Sequence, residues 1–154
     1  MSRALLVFAL LALLLVPAQA VGARSAVPTH ATLTLRASPY GKVLFDAQGR
    51  VLYLFAADHT SKSTCYGACA KAWPPFLTRG KPTVRAAGLK ARLLATTRRR
   101  DGSLQVTYNG HPLYYFEEDK VGKILCQNMK LHGGFWYVVN PDGSANKAKS
   151  KVHM

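Results

Sequence analysis

The chain contains the same ten-residue passage twice. Gly49-Arg50-Val51-Leu52-Tyr53-Leu54-Phe55-Ala56-Ala57-Asp58 returns 61 positions later as Gly110-His111-Pro112-Leu113-Tyr114-Tyr115-Phe116-Glu117-Glu118-Asp119. The same offset aligns Gly41 with Gly102, Val43 with Leu104, Phe45 with Val106 and Cys65 with Cys126, without a gap. Around each passage the pattern is that of short strands and tight turns. Lys42-Val43-Leu44-Phe45, the Asp46-Ala47-Gln48-Gly49 turn and Val51 to Phe55 form one hairpin, with Asp and Gly at their preferred turn positions. Gly102 to Tyr108, Asn109-Gly110 and Pro112 to Phe116 form the other, and Asn-Gly is the strongest short hairpin signal.

Val51 to Phe55 is apolar on both faces, which marks an interior strand. A unit of about three strands cannot cover its apolar faces alone. The expected fold is therefore mainly β: two β-meander repeats of about 60 residues packed as one pseudo-twofold domain. A short helix is expected after the first repeat hairpin, where Cys65 to Ala72 precedes Pro74-Pro75.

This reading divides the chain as follows. Residues 1–20 are a cleaved secretory signal: a basic start, the apolar run Ala4 to Val16, and Ala18-Gln19-Ala20 as cleavage pattern. That run is too short to span a bilayer, which takes about 20 residues. Residues 21–30 are a flexible leader and 31–143 the β-rich domain, with repeats at 31–78 and 92–143 and a basic connector at 79–91. Residues 144–154 are a basic, disordered tail. After cleavage no transmembrane segment remains, and no cysteine near the cleavage point offers lipid attachment, so the expected product is secreted or extracytoplasmic and not lipid-anchored.

Lys and Arg number 21 against 7 Asp and Glu, a net charge of +14. Eight of the cations lie between Arg79 and Arg100, including Arg98-Arg99-Arg100 in a row, and Lys147, Lys149 and Lys151 follow near the end. Such a surface adheres to polyanions; outside a cell these are wall polymers and anionic lipid surfaces. A nucleic-acid reader needs a motif or aromatic platform beside its charge, and neither is present, so no specific nucleic-acid partner is expected.

The residues with chemical potential each carry two readings. Asp58 and Asp119 stand just past equivalent strands: either a carboxylate pair binding a cation or polar ligand, or acceptors for backbone N–H groups in the turns that follow. Tyr53, Phe55, Tyr114 and Phe116 alternate along their strands and pack into the core, or else line a ligand-stacking cleft, and Trp73 and Trp136 are read the same way. No Ser/His/Asp grouping or His-x-x-x-His pair is apparent, and no catalytic residue is assigned.

Three cysteines in an exported chain leave one unpaired internally. On a regular helix Cys65 and Cys69 would hold their Cβ atoms ~5–6 Å apart, where a relaxed disulfide needs about 3.8 Å. Bridging them requires a distorted segment, which Gly67 permits; either one bridged to Cys126 is the alternative. The Cys-x3-Cys spacing with His59 nearby suits a soft metal such as Cu(I), and does not match zinc ribbons or knuckles.

Gly-x-x-Leu-Tyr-x-Phe-x-x-Asp in both copies, Ser63-Thr64-Cys65-Tyr66-Gly67-Ala68-Cys69-Ala70-Lys71-Ala72-Trp73-Pro74-Pro75 and the Gly102 to Tyr114 segment closely resemble a bacterial family of secreted proteins and lipoproteins. That family is known as a secreted repeat of unknown function with a Tyr-x-aromatic-x-x-Asp motif. The resemblance covers about residues 39 to 143. It implies two repeats, an extracytoplasmic location in bacteria and no established activity, and it favours Cys65 with Cys69 as the disulfide pair and Cys126 as the spare. The chain departs from many relatives in lacking the lipid-attachment cysteine. Lys123-Ile124-Leu125-Cys126-Gln127-Asn128 also stands where many have a Gly-rich stretch ending in Gly-Gln-Gly.

The resulting expectation is a non-enzymatic envelope-binding or structural module with affinity for anionic polymers, and no bound cofactor. The alternative is a metal- or redox-handling protein using Cys65, Cys69 and Cys126.

Overall fold

The computed structural model describes residues 26–151. The expected signal segment lies outside the described residues. In chain order the elements are β1 (Thr32–Ser38), β2 (Gly41–Asp46), β3 (Tyr53–Phe55), α1 (Ala68–Ala72), β4 (Leu77–Thr78), β5 (Thr83–Val84), a 3-10 turn (Ala91–Leu93), β6 (Leu94–Arg98), β7 (Leu104–Tyr108), β8 (His111–Tyr114), β9 (Met129–Leu131) and β10 (Gly134–Val138). The fold is mainly β, with one short helix after the first hairpin.

Turn chemistry sets the hairpins. Between β7 and β8, Asn109 (φ 49) and Gly110 (φ 79) both take left-handed backbone, the pair of conformations a two-residue hairpin loop needs. In the first copy Asp46 organises the turn: its Oδ1 accepts the Arg50 N–H at 2.8 Å, and its carbonyl accepts the Gly49 N–H at 3.2 Å.

Two sheets result, neither of them closed. One runs β2-β1-β5; the other runs β4-β7-β8-β3-β10-β9, with β6 on the outer edge of β7. The second sheet joins the two copies. Strand β3 of the first copy lies between two strands of the second, pairing Tyr53 with Tyr114 and Leu54 with Leu113 on β8, and Phe55 with Trp136 and Tyr53 with Val138 on β10. An apolar strand with both faces buried suits this position, and Tyr53, Leu54 and Phe55 are all buried.

Alternation along β3 and its neighbours feeds two core clusters. Tyr53, Phe55, Tyr114, Trp136 and Val138 point to one, with Cys65, Trp73 and Cys126. Leu52, Leu54, Leu113, Tyr137 and Val139 point to the other, with Leu33, Leu44, Phe76 and Val106. Each of the fully buried side chains contributes about 1.5–3 kcal/mol of transfer free energy. Gly134 fits this packing because a Cβ there would meet the Phe55 ring at 2.6 Å.

The helix is short as expected, the connector gains a strand pairing, and the tail differs from its expected form. Helix α1 is a single short turn confined to Ala68–Ala72, because Gly67 takes φ 56 and the disulfide described below ties Cys65 to Cys69. The basic connector is docked: β5 pairs in parallel with β1, Thr83 opposite Thr32.

Residues 144–151, expected as a disordered tail, are tied to the body. Buried Asn146 donates to the Tyr40 carbonyl at 3.0 Å, Gln127 Nε2 donates to the carbonyls of Asn146 and Ala148, and the Lys151 N–H donates to the Tyr40 hydroxyl. Polar side chains bonding to backbone hold this segment together with a bridge between Ala145 and Val139, and such bonding leaves no apolar periodicity in the sequence. In the leader, the Pro28 carbonyl accepts the Arg79 N–H at 3.0 Å.

Candidate functional site

The two motif aspartates close equivalent turns and grip opposite copies. Asp58 Oδ1 accepts the Thr64 N–H at 2.7 Å and its hydroxyl at 2.6 Å, while Oδ2 accepts the Tyr114 hydroxyl at 2.5 Å. Asp119 Oδ1 accepts the Leu125 N–H at 2.9 Å, and Oδ2 accepts the Tyr53 hydroxyl at 2.6 Å. In both copies the turn donor follows its Asp by six residues, and in both the tyrosine comes from the other copy. A third tie runs from the Tyr115 hydroxyl to Asp46 Oδ2 at 2.9 Å, with the Arg50 guanidinium 4.1 Å from the Tyr115 ring centroid.

Asp58 and Asp119 are 4% and 6% exposed, so neither carboxylate opens onto solvent. Burial pushes Asp119 above the usual carboxylate range, outweighing the lowering by the Tyr53 hydroxyl and the Leu125 N–H. Burial, then the neighbouring carboxylate charge, pushes Tyr53 and Tyr114 well above the ordinary tyrosine range, so both are neutral donors at physiological pH.

Between the two Tyr–Asp pairs lies an aromatic stack. The indoles of Trp73 and Trp136 are parallel at 3.8 Å. Phe55 of the first copy stacks on Trp136 of the second at 4.1 Å, and Phe116 of the second lies 4.7 Å from Trp73 of the first. Tyr53 meets Trp73 edge-on, and Tyr114 meets Trp136 edge-on, each at 5.2 Å. The six motif residues and both tryptophans thus form the seam between copies, with Tyr53, Phe55 and Tyr114 buried and Phe116 partly so. The stack occupies the space that a ligand-stacking cleft would need.

Outside the seam the copies diverge, and the divergence centres on Arg99. It is 5% exposed and held by three bonds: Nη1 to Ser63 Oγ at 2.9 Å and to Gln105 Oε1 at 2.6 Å, and Nη2 to the Cys65 carbonyl at 2.9 Å. The Ser63 hydroxyl also lies 2.7 Å from the Tyr114 oxygen, whose own proton goes to Asp58, and this links Arg99 to Asp58 through two hydroxyls. Gln105 is fully buried, and its Nε2 donates to the Leu113 carbonyl at 2.8 Å. The residues one repeat offset away are Ser38, Leu44 and Ile124, so the second copy's aspartate has no such network.

Above Arg99 a cleft of about 490 Å³ opens to solvent, lined by Thr60, Lys62, Ser63, Thr64, Tyr66 and Arg98 to Arg100. The guanidinium carbons of Arg99 and Arg100 lie 4.4 and 4.7 Å from the Tyr66 ring centroid.

Cys65 and Cys69 form a disulfide with Cα atoms 5.3 Å apart, and Cys126 is free and buried. In this oxidised form the pair presents no thiolate to a metal. Burial, with the charges of Asp119 and Glu118, pushes the Cys126 thiol up to about 12. His111 is half-buried, and burial lowers it from its ordinary value against the raising effect of Asp58.

Arg99, Ser63 and Gln105 are the polar residues that sequence reasoning did not single out. Arg99 stands in a three-arginine run that reads as solvated surface. The signal available was the alternation at the end of β6, where Thr97 and Arg99 are buried and Arg98 and Arg100 exposed.

The geometry defines a β domain of two interlocked repeats whose shared motif is its own internal seam. A family described as a secreted repeat of unknown function matches residues 34–76 and 95–140, and the chain belongs to that family. Membership places the chain outside the cytoplasm. Among the described residues no helix is long and apolar enough to cross a membrane. No curated protein and no solved structure matches the chain.

Proposed function

We propose that the chain is an extracytoplasmic binding module, not an enzyme, whose basic surface meets anionic polymers of the cell envelope. One observation carries this reading: the repeated polar groups are spent on joining the copies, while cations collect at an open cleft where the copies differ. The net charge of +14 supports it. The experiment is binding of the purified protein to isolated cell wall across a salt series. Retention at low ionic strength that falls steeply as salt rises is expected. Absence of binding at low ionic strength rejects the reading.

A second reading, thiol–disulfide or metal handling, draws on the half-exposed position of Cys69 beside buried Cys65 and on Cys126 in the same core cluster. Thiol titration and metal analysis of the native protein test it. One unreactive disulfide, a silent Cys126 and no metal count against it.

A further inference from the structure

We propose that the cleft between the Thr60–Tyr66 segment and the Arg98–Arg100 segment is a site for phosphoryl oxyanions, specifically the repeating phosphodiesters of an anionic polymer. The inference rests on the envelope-binding reading and gives it an address.

Four cations line this cleft: Lys62, Arg98, Arg99 and Arg100. Their mutual repulsion lies inside a Debye length of about 8–10 Å and is relieved by an anion. Two acidic groups are nearby, and each accepts from residues that follow it in the chain. Asp58 is buried and accepts from Thr64 and Tyr114. Asp101 accepts the Ser103 N–H and hydroxyl.

The donors around the opening are unspent. Among the described residues, the Lys62 ammonium and the Arg100 guanidinium donate to no protein acceptor, and Arg98 uses only Nη1, on the Gly102 carbonyl. Thr60 Oγ1 accepts the Lys62 N–H at 3.2 Å, which leaves its hydroxyl proton for a ligand. The buried Arg99 Nε also has no partner.

The floor is rigid. Arg99 is fixed by three hydrogen bonds, and Tyr66 is held beneath two guanidinium groups and by its hydroxyl, which accepts the Arg100 N–H at 3.3 Å. The Cys65–Cys69 disulfide closes the segment that carries Tyr66. A floor set in advance reduces the ordering cost of binding.

The planar forks of arginine match the paired oxygens of a phosphate. A volume of about 490 Å³ admits a phosphodiester with its adjoining glycerol or sugar units, and the open side lets a chain run through.

The test uses the whole purified protein, with poly(glycerol phosphate) as probe and inorganic phosphate, polyglutamate and anionic phospholipid vesicles as comparators. Lys62→Gln/Arg100→Gln removes two exposed donors, and Lys147→Gln/Lys149→Gln removes the same charge elsewhere. The cleft variant is expected to bind poly(glycerol phosphate) about tenfold or more weakly, and the control less than about twofold. Inorganic phosphate is expected to compete in the wild type and not in the cleft variant.

Equal weakening of both variants overturns the site while leaving general polyanion binding in place. Tighter binding to polyglutamate than to the phosphodiester overturns the ligand class, and tighter binding to vesicles overturns the polymer as its source. A wild type that binds no polyanion at low salt removes the envelope reading itself. Near-UV circular dichroism verifies that both variants fold.

Discussion

The Tyr114 hydroxyl and Asp58 Oδ2 stand 2.5 Å apart, 56 positions apart in sequence and in different copies of the repeat. Tyr53 and Asp119 repeat the relationship in the opposite direction at 2.6 Å. Each carboxylate therefore closes its own turn and fastens the other copy. Tyr53→Phe removes one charge-assisted hydrogen bond from a buried carboxylate, and a loss of about 1.5–3 kcal/mol is expected from urea unfolding. In a double-mutant cycle, Tyr53→Phe and Asp119→Asn should couple by about 0.5–3 kcal/mol, while Tyr53→Phe and the distant Lys149→Gln should add.

Arg99 is 5% exposed and donates to three acceptors, Ser63, Gln105 and Cys65. Arg99→Met leaves the Ser63 hydroxyl, the Gln105 amide oxygen and the Cys65 carbonyl short of a donor, an expected cost of about 2–4 kcal/mol. Arg99→Lys should recover only part of it, because an ammonium cannot span Ser63, Gln105 and Cys65 from one plane. Arg98→Gln, on the exposed neighbour, should change stability by less than about 0.5 kcal/mol.

Two groups give stability a pH dependence of opposite sign. Asp119 holds its proton more tightly folded than unfolded, so its contribution is full below the ordinary 3.8 and is lost as pH rises from there through the folded value. His111 holds its proton less tightly folded, so its contribution is present above the ordinary 6.5 and is lost as pH falls through the folded value. Thermal melts across this range should show Asp119→Asn flattening the fall with rising pH. His111→Gln should flatten the loss on acidification.

The cysteines should separate cleanly. The Cys65–Cys69 bridge closes a short loop, so Cys65→Ser/Cys69→Ser should cost about 2 kcal/mol, with a matching drop in unfolding midpoint. Cys126 should stay silent to a thiol reagent in the native protein and react once in denaturant, since burial and adjacent carboxylates disfavour its thiolate.

The repeat, the β7–β8 hairpin and the double-faced burial of β3 were legible because local turn chemistry and side-chain alternation encode them, whereas the first hairpin holds only beside its turn, at Phe45 and Val51, before β3 leaves for the other sheet. Asn109-Gly110 states its turn outright, and Leu52 to Phe55 has no polar face. The Tyr–Asp exchange was not legible: sequence locates Asp58 and Tyr114 in equivalent motifs but carries no information on which copy's tyrosine reaches which aspartate. Arg99 was hidden by its neighbours, since Arg98 and Arg100 are exposed and the run reads as one solvated patch. The segment around Asn146 was hidden because side-chain to backbone bonds and one backbone bridge, Val139 with Ala145, hold it in place with little apolar patterning.

The repeated motif as scaffold, with ligand chemistry displaced to the Arg98–Arg100 cleft, is tested most directly by measuring unfolding midpoint and poly(glycerol phosphate) affinity together in Tyr53→Phe and in Lys62→Gln/Arg100→Gln. The seam variant is expected to lose stability and keep its affinity within about twofold while folded, and the cleft variant to keep its stability and lose about tenfold or more in affinity. A seam variant that stays fully stable yet loses the polymer would contradict the account and return the Tyr-x-aromatic-x-x-Asp motif to the binding site.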